Sequence, residues 1–250
     1  MKCLDPNNEE WQGVFIDGAP GIGKTILASE AANKLRRDNR AVVVAYIDCN
    51  DIDSFESFAA TVFKQICRSP PVDDPAAEIK KRLIASKDYS YILFLDSFEC
   101  FLEESKNPWE NQPLTAAARY RKCGQSVNSF IEEIAKYAAN IKFLVTSWER
   151  VAFFERRPMK AIHLNPFDKV ESSKFLENVR SGEKISDKQS EDLYEISSGI
   201  PLVLHTLMSS HEDLIGLLDL LRKEDPENKA TFLRNLKTLH GKKKNRSLPG

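Results

Sequence analysis

The sequence predicts an α/β fold in which a parallel β-sheet flanked by helices is followed by a small all-helical domain. Four apolar runs separated by helical patterns lie before residue 148, as is typical of parallel strands buried on both faces. A glycine-rich loop follows the first run, and strand patterns stop near Asp168. We therefore expect a nucleotide-binding domain at 1–165, a helical domain at 166–240 and a basic, disordered tail at 241–250.

The composition is that of a globular protein without an obvious nucleic-acid or membrane partner. The 250 residues are 42% hydrophobic and carry a net charge of −1, so a core can form but no basic field is present. No stretch approaches the roughly 20 apolar residues of a membrane span, and no signal peptide is visible, which favours a cytoplasmic location. The five cysteines form no C-x-x-C pair, which argues against a disulfide framework or a zinc site.

The first predicted strand, Gly13–Asp17, leads into a segment that fits the phosphate-loop pattern G-x-x-x-x-G-K-[ST]. Glycines allow a tight turn whose N–H groups point into one concavity at the start of a helix, where a phosphate is favoured. Lys24 supplies charge to the outer phosphates and Thr25 a hydroxyl to Mg²⁺; an ordinary glycine-rich turn is the alternative. The predicted nucleotide contacts are Gly18, Ala19, Pro20, Gly21, Ile22, Gly23, Lys24, Thr25 and Ile26.

The next elements follow from periodicity. Apolar residues at helical spacing predict a helix that ends near Arg36–Asn39, and the run Ala41–Ile47 predicts a second buried strand. Asp53 and Glu56 are spaced as a capping box for a second helix. Prolines at 70, 71 and 75 then break the pattern.

Two further buried strands are predicted at Tyr91–Leu95 and Ile141–Thr146, with a helix at Val127–Ala138 between them. A polar loop at Glu103–Gln125 precedes that helix and is longer than most connections. It is either a lid or interaction loop, or an insertion without function. Trp109 within it is either an exposed anchor or local packing.

The helical part carries its own capping signals. Asp168 with Glu171, and Ser186 with Gln189, are spaced as capping boxes. Gly199 and Pro201 stand where one helix is expected to stop and the next to start.

A phosphate loop needs a carboxylate on a second strand to hold Mg²⁺, and Asp96 is the strongest candidate. We expect its strand beside the first, with the carboxylate at the C-terminal edge of the sheet, where ligands bind in open α/β folds. Glu99 polarises the attacking water or has only a surface role. Ser147 and Arg150 either sense the γ-phosphate or pair locally, Arg150 with Glu149 or Glu155.

These signals in this order resemble the NB-ARC and NACHT branch of the STAND NTPases, over about Trp11 to His205. Four pieces carry the resemblance: GAPGIGKT at 18–25, YILFLDSFE at 91–99, FLVTSWER at 143–150 and SSGIPLVL at 197–204. The last is similar to the family's GxPL motif.

The resemblance implies ATP or ADP with Mg²⁺ as ligands, Thr25 and Asp96 as metal residues, and Pro201 packed on the adenine. It also implies that the helical part closes over the nucleotide, and that Trp11 is a remnant of an adenine-contacting segment. Ser97 departs from the family's second Asp, and Trp148 replaces its sensor Arg. The chain ends before a winged-helix domain, as expected of a fragment, a truncated isoform or a minimal member.

The leading hypothesis is an ATP/ADP-binding switch of signalling, with slow or absent hydrolysis, that controls oligomerisation or the binding of protein partners. One alternative is an active P-loop ATPase or small-molecule kinase, and another is a degenerate structural interaction module. A GTPase is disfavoured because Asn33-Lys34 is followed by Leu35-Arg36, so that no guanine-reading N-K-x-D occurs there.

Overall fold

The computed structural model describes residues 2–5, 10–70, 72–86, 88–101, 115–151, 154, 158–179 and 186–209. Its centre is a five-stranded, wholly parallel sheet, which confirms the predicted fold class. The strands stand in the order β2-β3-β4-β1-β5, with β1 at Gly13–Gly18, β2 at Val42–Asp48, β3 at Ser90–Asp96, β4 at Ile141–Ser147 and β5 at Met159–Leu164.

Seven α-helices lie within the described residues. They are α1 (Lys24–Asp38), α2 (Phe55–Cys67), α3 (Pro75–Ala85), α4 (Thr115–Tyr137), α5 (Lys169–Val179), α6 (Asp187–Ser197) and α7 (Pro201–Ser209). Short 3₁₀ turns occur at Lys2–Leu4, Cys49–Asp51 and Phe98–Phe101.

The two faces of the sheet bury different cores. Alternate residues of β1, β3 and β4, among them Phe15, Leu95 and Val145, pack with α2, α3 and α4 on one face, here called face A. Their neighbours, such as Ile16 and Phe94, pack with α1 on the opposite face, here called face B. Burial on both faces explains why these strands are nearly continuous apolar runs.

The expected position of β3 beside β1 is wrong, because β4 lies between them and pairs with both. Parallel strands are joined by crossovers, so their order in the chain does not fix their order in the sheet. Asp96 still lies at the C-terminal edge, as expected, because all strands point the same way.

β5 was not predicted. In its sequence, MKAIHL, Met159 is buried, Ile162 and Leu164 are half-buried, and Lys160, Ala161 and His163 are exposed, as suits an edge strand. It lacks the apolar run that marks a buried strand.

Other boundaries also differ from the expectations. α4 already begins at Thr115, so the second part of the loop predicted at Glu103–Gln125 is helical. The first part, with Trp109, lies outside the described residues, as does the tail at 241–250. α3 was missed, and α2 is capped by Ser54 rather than Asp53, because the Ser54 side chain accepts the Ser57 N–H.

The chain forms two compact units, one of Met1–Pro20 with Lys24–Leu164, the other of Gly21–Gly23 with Asn165–Gly250. In the second unit, both predicted capping boxes are confirmed, since Asp168 and Glu171 exchange two hydrogen bonds and Ser186 and Gln189 do the same. Gly199 has φ +71°, and Pro201 is the first residue of α7. The domain boundaries given by the sequence stay predictions.

Among the helices of the described part, none is both long and apolar enough to cross a membrane.

Candidate nucleotide-binding site

The phosphate loop joins β1 directly to α1, which begins at Lys24. Gly21 and Gly23 have φ values of +79° and +103°, a region that side chains disfavour. Among the described residues, and apart from its two chain neighbours, Gly23 has no atom within 4 Å of where a Cβ would stand, so backbone conformation rather than space calls for glycine there. The loop therefore turns tightly between strand and helix, as the pattern predicts.

Lys24 reaches back over the start of its own loop. Its Nζ donates to the carbonyl oxygens of Gly18 and Ala19, at 2.8 and 3.0 Å. Burial lowers the pKa of Lys24, and the charges of Glu99, Asp96 and Asp17 act in the opposite direction. The ammonium group is thus held where outer phosphates would meet it, with three carboxylates near enough to act on its charge.

The carboxylate of Asp96, at the end of β3, accepts hydrogen bonds from three hydroxyl groups. The residue is 4% exposed, and its Oδ1 accepts from Thr25 Oγ1 at 2.8 Å. The Thr146 hydroxyl donates to the same oxygen, and the Tyr46 hydroxyl donates to Oδ2 at 3.2 Å. Carboxylate and hydroxyl oxygens suit Mg²⁺, so the two predicted metal residues, Thr25 and Asp96, fit this ion.

Tyr46 and Thr146 were not singled out from the sequence. In the sequence, Tyr46 lies within the apolar run of β2. Burial and the nearby Asp96 charge raise its pKa. Thr146 also accepts the N–H of Ser97 at 3.0 Å, where Ser97 has φ +59°. The only available signal was that both residues stand at the ends of strands that lead to the same edge.

Glu99 and Ser147 come together on the other side of this edge. Glu99 lies in the turn Phe98–Phe101, and its Oε2 accepts the Trp148 N–H at 3.3 Å. The Ser147 hydroxyl also hydrogen-bonds Glu99, and burial raises the pKa of Glu99 above its ordinary value. Glu99 is thus held in place by two donors, and its role in polarising a water stays a prediction.

Arg150 pairs with an acid that the sequence analysis did not select. Its Nε lies 3.8 Å from Oδ2 of Asp17, and the same oxygen lies 2.6 Å from Nδ1 of His163. Asp17 directly precedes the first loop glycine, and the register pairs it with Ser147 on β4 and His163 on β5. His163 could not be placed from the sequence, because its strand was not predicted.

The polar residues at this edge form two sets on opposite faces of the sheet. Strand alternation places Asp17 and Ser147 on face A, two residues beyond Phe15 and Val145. Asp96 and Thr146 lie on face B, two residues beyond Phe94 and Leu144. The metal residues and the Asp17 group therefore form separate clusters. Charges from both clusters act to raise the pKa of Lys24.

Trp11 is not brought to this edge. It precedes β1 at the edge where the strands begin, and its carbonyl accepts from Lys142 Nζ at 2.7 Å. The six residues of β1 span roughly 17 Å between this point and the loop. The adenine contact of Trp11 stays a prediction.

The remaining predicted contacts lie as follows. Ile26 is 72% exposed on α1, whereas Ile22 is buried in the loop. Within the second unit, the Leu202 N–H, next to Pro201, donates to the Gly21 carbonyl at 3.2 Å. The adenine contact of Pro201 stays a prediction.

A family model described as "Nephrocystin 3, N-terminal" matches residues 4–147, which is more than half of the chain. No match was found among curated proteins.

Solved structures with the same fold include the Walker-type ATPase PABY2304 of Pyrococcus abyssi, with a TM-score of 0.60, 16% identity, and coverage of 96% of this chain and 74% of that one. The Aeropyrum pernix ORC2 protein, in ADPNP-ADP complexes, has a TM-score of 0.53 and 17% identity, over 89% and 60% of the two chains. Drosophila ORC bound to DNA has a TM-score of 0.56 and 15% identity, over 83% and 50%. The chain thus spans only 50–60% of these two ORC proteins, and at such identities the likeness concerns the fold.

Proposed function

Because the chain belongs to the nephrocystin 3 N-terminal family and has a P-loop ATPase fold, we propose that it binds ATP or ADP together with Mg²⁺. The observation that carries the proposal is the contact of Thr25 with Asp96 at 2.8 Å, directly beside a lysine held over a phosphate loop. These are the two halves of a phosphate and metal site, contributed by residues 71 positions apart.

Each residue has a defined task in this proposal. The loop N–H groups hold the phosphates, and Lys24 exchanges its carbonyl partners for phosphate oxygens. Thr25 and Asp96 hold Mg²⁺, which when bound neutralises phosphate charge. Tyr46 and Thr146 orient the Asp96 carboxylate.

The finer proposal is a STAND-type switch in which hydrolysis is slow or absent and the bound nucleotide controls oligomerisation or protein partners in cytoplasmic signalling. The order of the four motifs supports the STAND type. Slow or absent hydrolysis is supported by Ser97 and Trp148, which stand where the family has a second Asp and a sensor Arg. In this proposal the unit with α5, α6 and α7 responds to the nucleotide through Pro201.

The enzyme alternative is favoured by the setting of Glu99. A base that polarises water must be oriented, and Glu99 receives hydrogen bonds from Trp148 and Ser147. Single-turnover hydrolysis measured beside equilibrium binding separates an ATPase from a switch. Tightly held ADP in the purified protein would support the switch.

The expected absence of a nucleic-acid partner rests on the net charge of −1 alone. It stays a prediction, since one protein of similar fold was solved bound to DNA.

The proposed ligand is tested by thermal unfolding. Saturating ATP or ADP with Mg²⁺, at about 100 times Kd, should stabilise the protein by about 2.7 kcal/mol and raise Tm by roughly 5–11 °C. GTP should raise it less, because no guanine-reading motif was found. A GTP shift equal to or larger than the ATP shift would contradict the adenine assignment.

Asp96→Asn should weaken Mg²⁺-dependent binding about tenfold or more, because it removes a charge that faces the metal rather than the phosphates. Affinity for ADP in EDTA should change less than about twofold. Calorimetric titrations with and without metal measure both quantities. Equal losses in the two conditions would remove Asp96 from the metal site.

A further inference from the structure

Asp17 is a buried carboxylate that the proposed nucleotide site does not use. Its residue is 4% exposed, and its Oδ2 faces His163 and Arg150. Oδ1 is buried and has no hydrogen-bond partner among the described residues. The charge of Asp17 is therefore compensated on one side only.

Asp17 directly precedes the loop that would hold the outer phosphates. It is the residue before Gly18, whose carbonyl holds the Lys24 ammonium at 2.8 Å, and its charge acts on the pKa of Lys24. In phosphate loops this lysine reaches the β- and γ-phosphates. A negative charge at Asp17 therefore meets the ligand at its outer end.

The other acids near Lys24, Asp96 and Glu99, differ from Asp17 in the hydrogen bonds that their carboxylates accept. Asp96 faces the metal and is satisfied by three hydroxyl groups on face B. Glu99 accepts hydrogen bonds from the Trp148 N–H and the Ser147 hydroxyl. Asp17 differs from both, because its Oδ1 is buried without a hydrogen-bond partner among the described residues.

We propose that Asp17 is a specificity-determining residue that lowers the affinity for ATP relative to ADP. ATP carries one phosphoryl group more at its outer end, so repulsion by Asp17 acts on ATP more strongly than on ADP. His163 and Arg150 set how much of the Asp17 charge is compensated. This inference rests on the proposed nucleotide site and adds to it a preference for the diphosphate.

The test is the ratio of the dissociation constants for MgADP and for the non-hydrolysable triphosphate MgAMP-PNP, measured by calorimetry on the full chain. Asp17→Asn keeps the shape and a contact with His163 but removes the charge. It should shift the ratio on the order of tenfold in favour of the triphosphate, as expected for unit charges about 10 Å apart at an effective dielectric constant of about 20. His163→Arg places a fixed cation beside Asp17 and should shift the ratio in the same direction.

Asp48→Asn is the matched control. It makes the same change of charge at the same sheet edge, at the end of β2, and an asparagine still caps the Cys49–Asp51 turn. It should change the ratio less than about twofold.

Equal changes of both affinities in Asp17→Asn, or a shift as large in Asp48→Asn, would overturn the assignment while leaving the nucleotide site intact. If a thermal scan shows that Asp17→Asn does not fold, an unchanged ratio in His163→Arg overturns it. Wild-type protein that binds neither nucleotide would overturn the proposed function and this inference together.

Discussion

Lys24→Ala should abolish most of the nucleotide-dependent rise in Tm, which is roughly 5–11 °C for saturating ligand at a chain of this size. The Nζ partners of Lys24 are two loop carbonyls, and these can turn to water once the side chain is gone. The Tm without ligand should therefore change little. Thermal unfolding with and without MgADP measures both effects.

Lys34→Ala is the control for this substitution, because it removes a lysine of the same helix whose partner is the exposed Asp38 at 3.7 Å. It should leave the ligand-dependent shift intact, since exposed ion pairs contribute little. Unfolding of the ligand-free Lys24→Ala protein would mean that Lys24 is structural. A full ligand shift in that variant would contradict the phosphate site.

Gly13→Ala should destabilise the protein by about 4 kcal/mol or more, or prevent folding, which is at the extreme of single substitutions. A Cβ at Gly13 would stand 2.0 Å from the carbonyl oxygen of Phe143, so the paired strands β1 and β4 would have to move apart. Denaturant titration measures the free energy of unfolding.

Gly23→Ala provides the contrast, because its Cβ would meet no atom of a non-adjacent described residue within 4 Å and only the φ of +103° is unfavourable. It should cost about 1–3 kcal/mol. If Gly13→Ala lay within about 1 kcal/mol of wild type, the close pairing of β1 with β4 would be contradicted.

Local patterns in the sequence were sufficient to predict the phosphate loop, four strands and the position of Asp96 at a strand end. A phosphate loop is a contiguous pattern, and a strand buried on both faces is a contiguous apolar run. Lys24, Thr25 and Asp96 could be selected because each is tied to such a run.

The parts that could not be predicted depend on strands meeting in space. The insertion of β4 between β1 and β3 is a matter of crossovers, which leave no local mark. Three of the six residues of β5 are exposed, so the strand lacks a contiguous apolar run and His163 could not be placed from the sequence. Asp17 looked like one polar residue in an apolar run until the register paired it with His163.

The division of the edge into two faces leaves one lysine as the link between two acids. Asp96 and Asp17 stand on opposite sides of the sheet, on strands that β4 separates. Both charges act on Lys24, and substitutions that share a partner often do not add in free energy. A double substitution of Asp96 and Asp17 is therefore expected to change nucleotide affinity by a different amount from the sum of the two single changes.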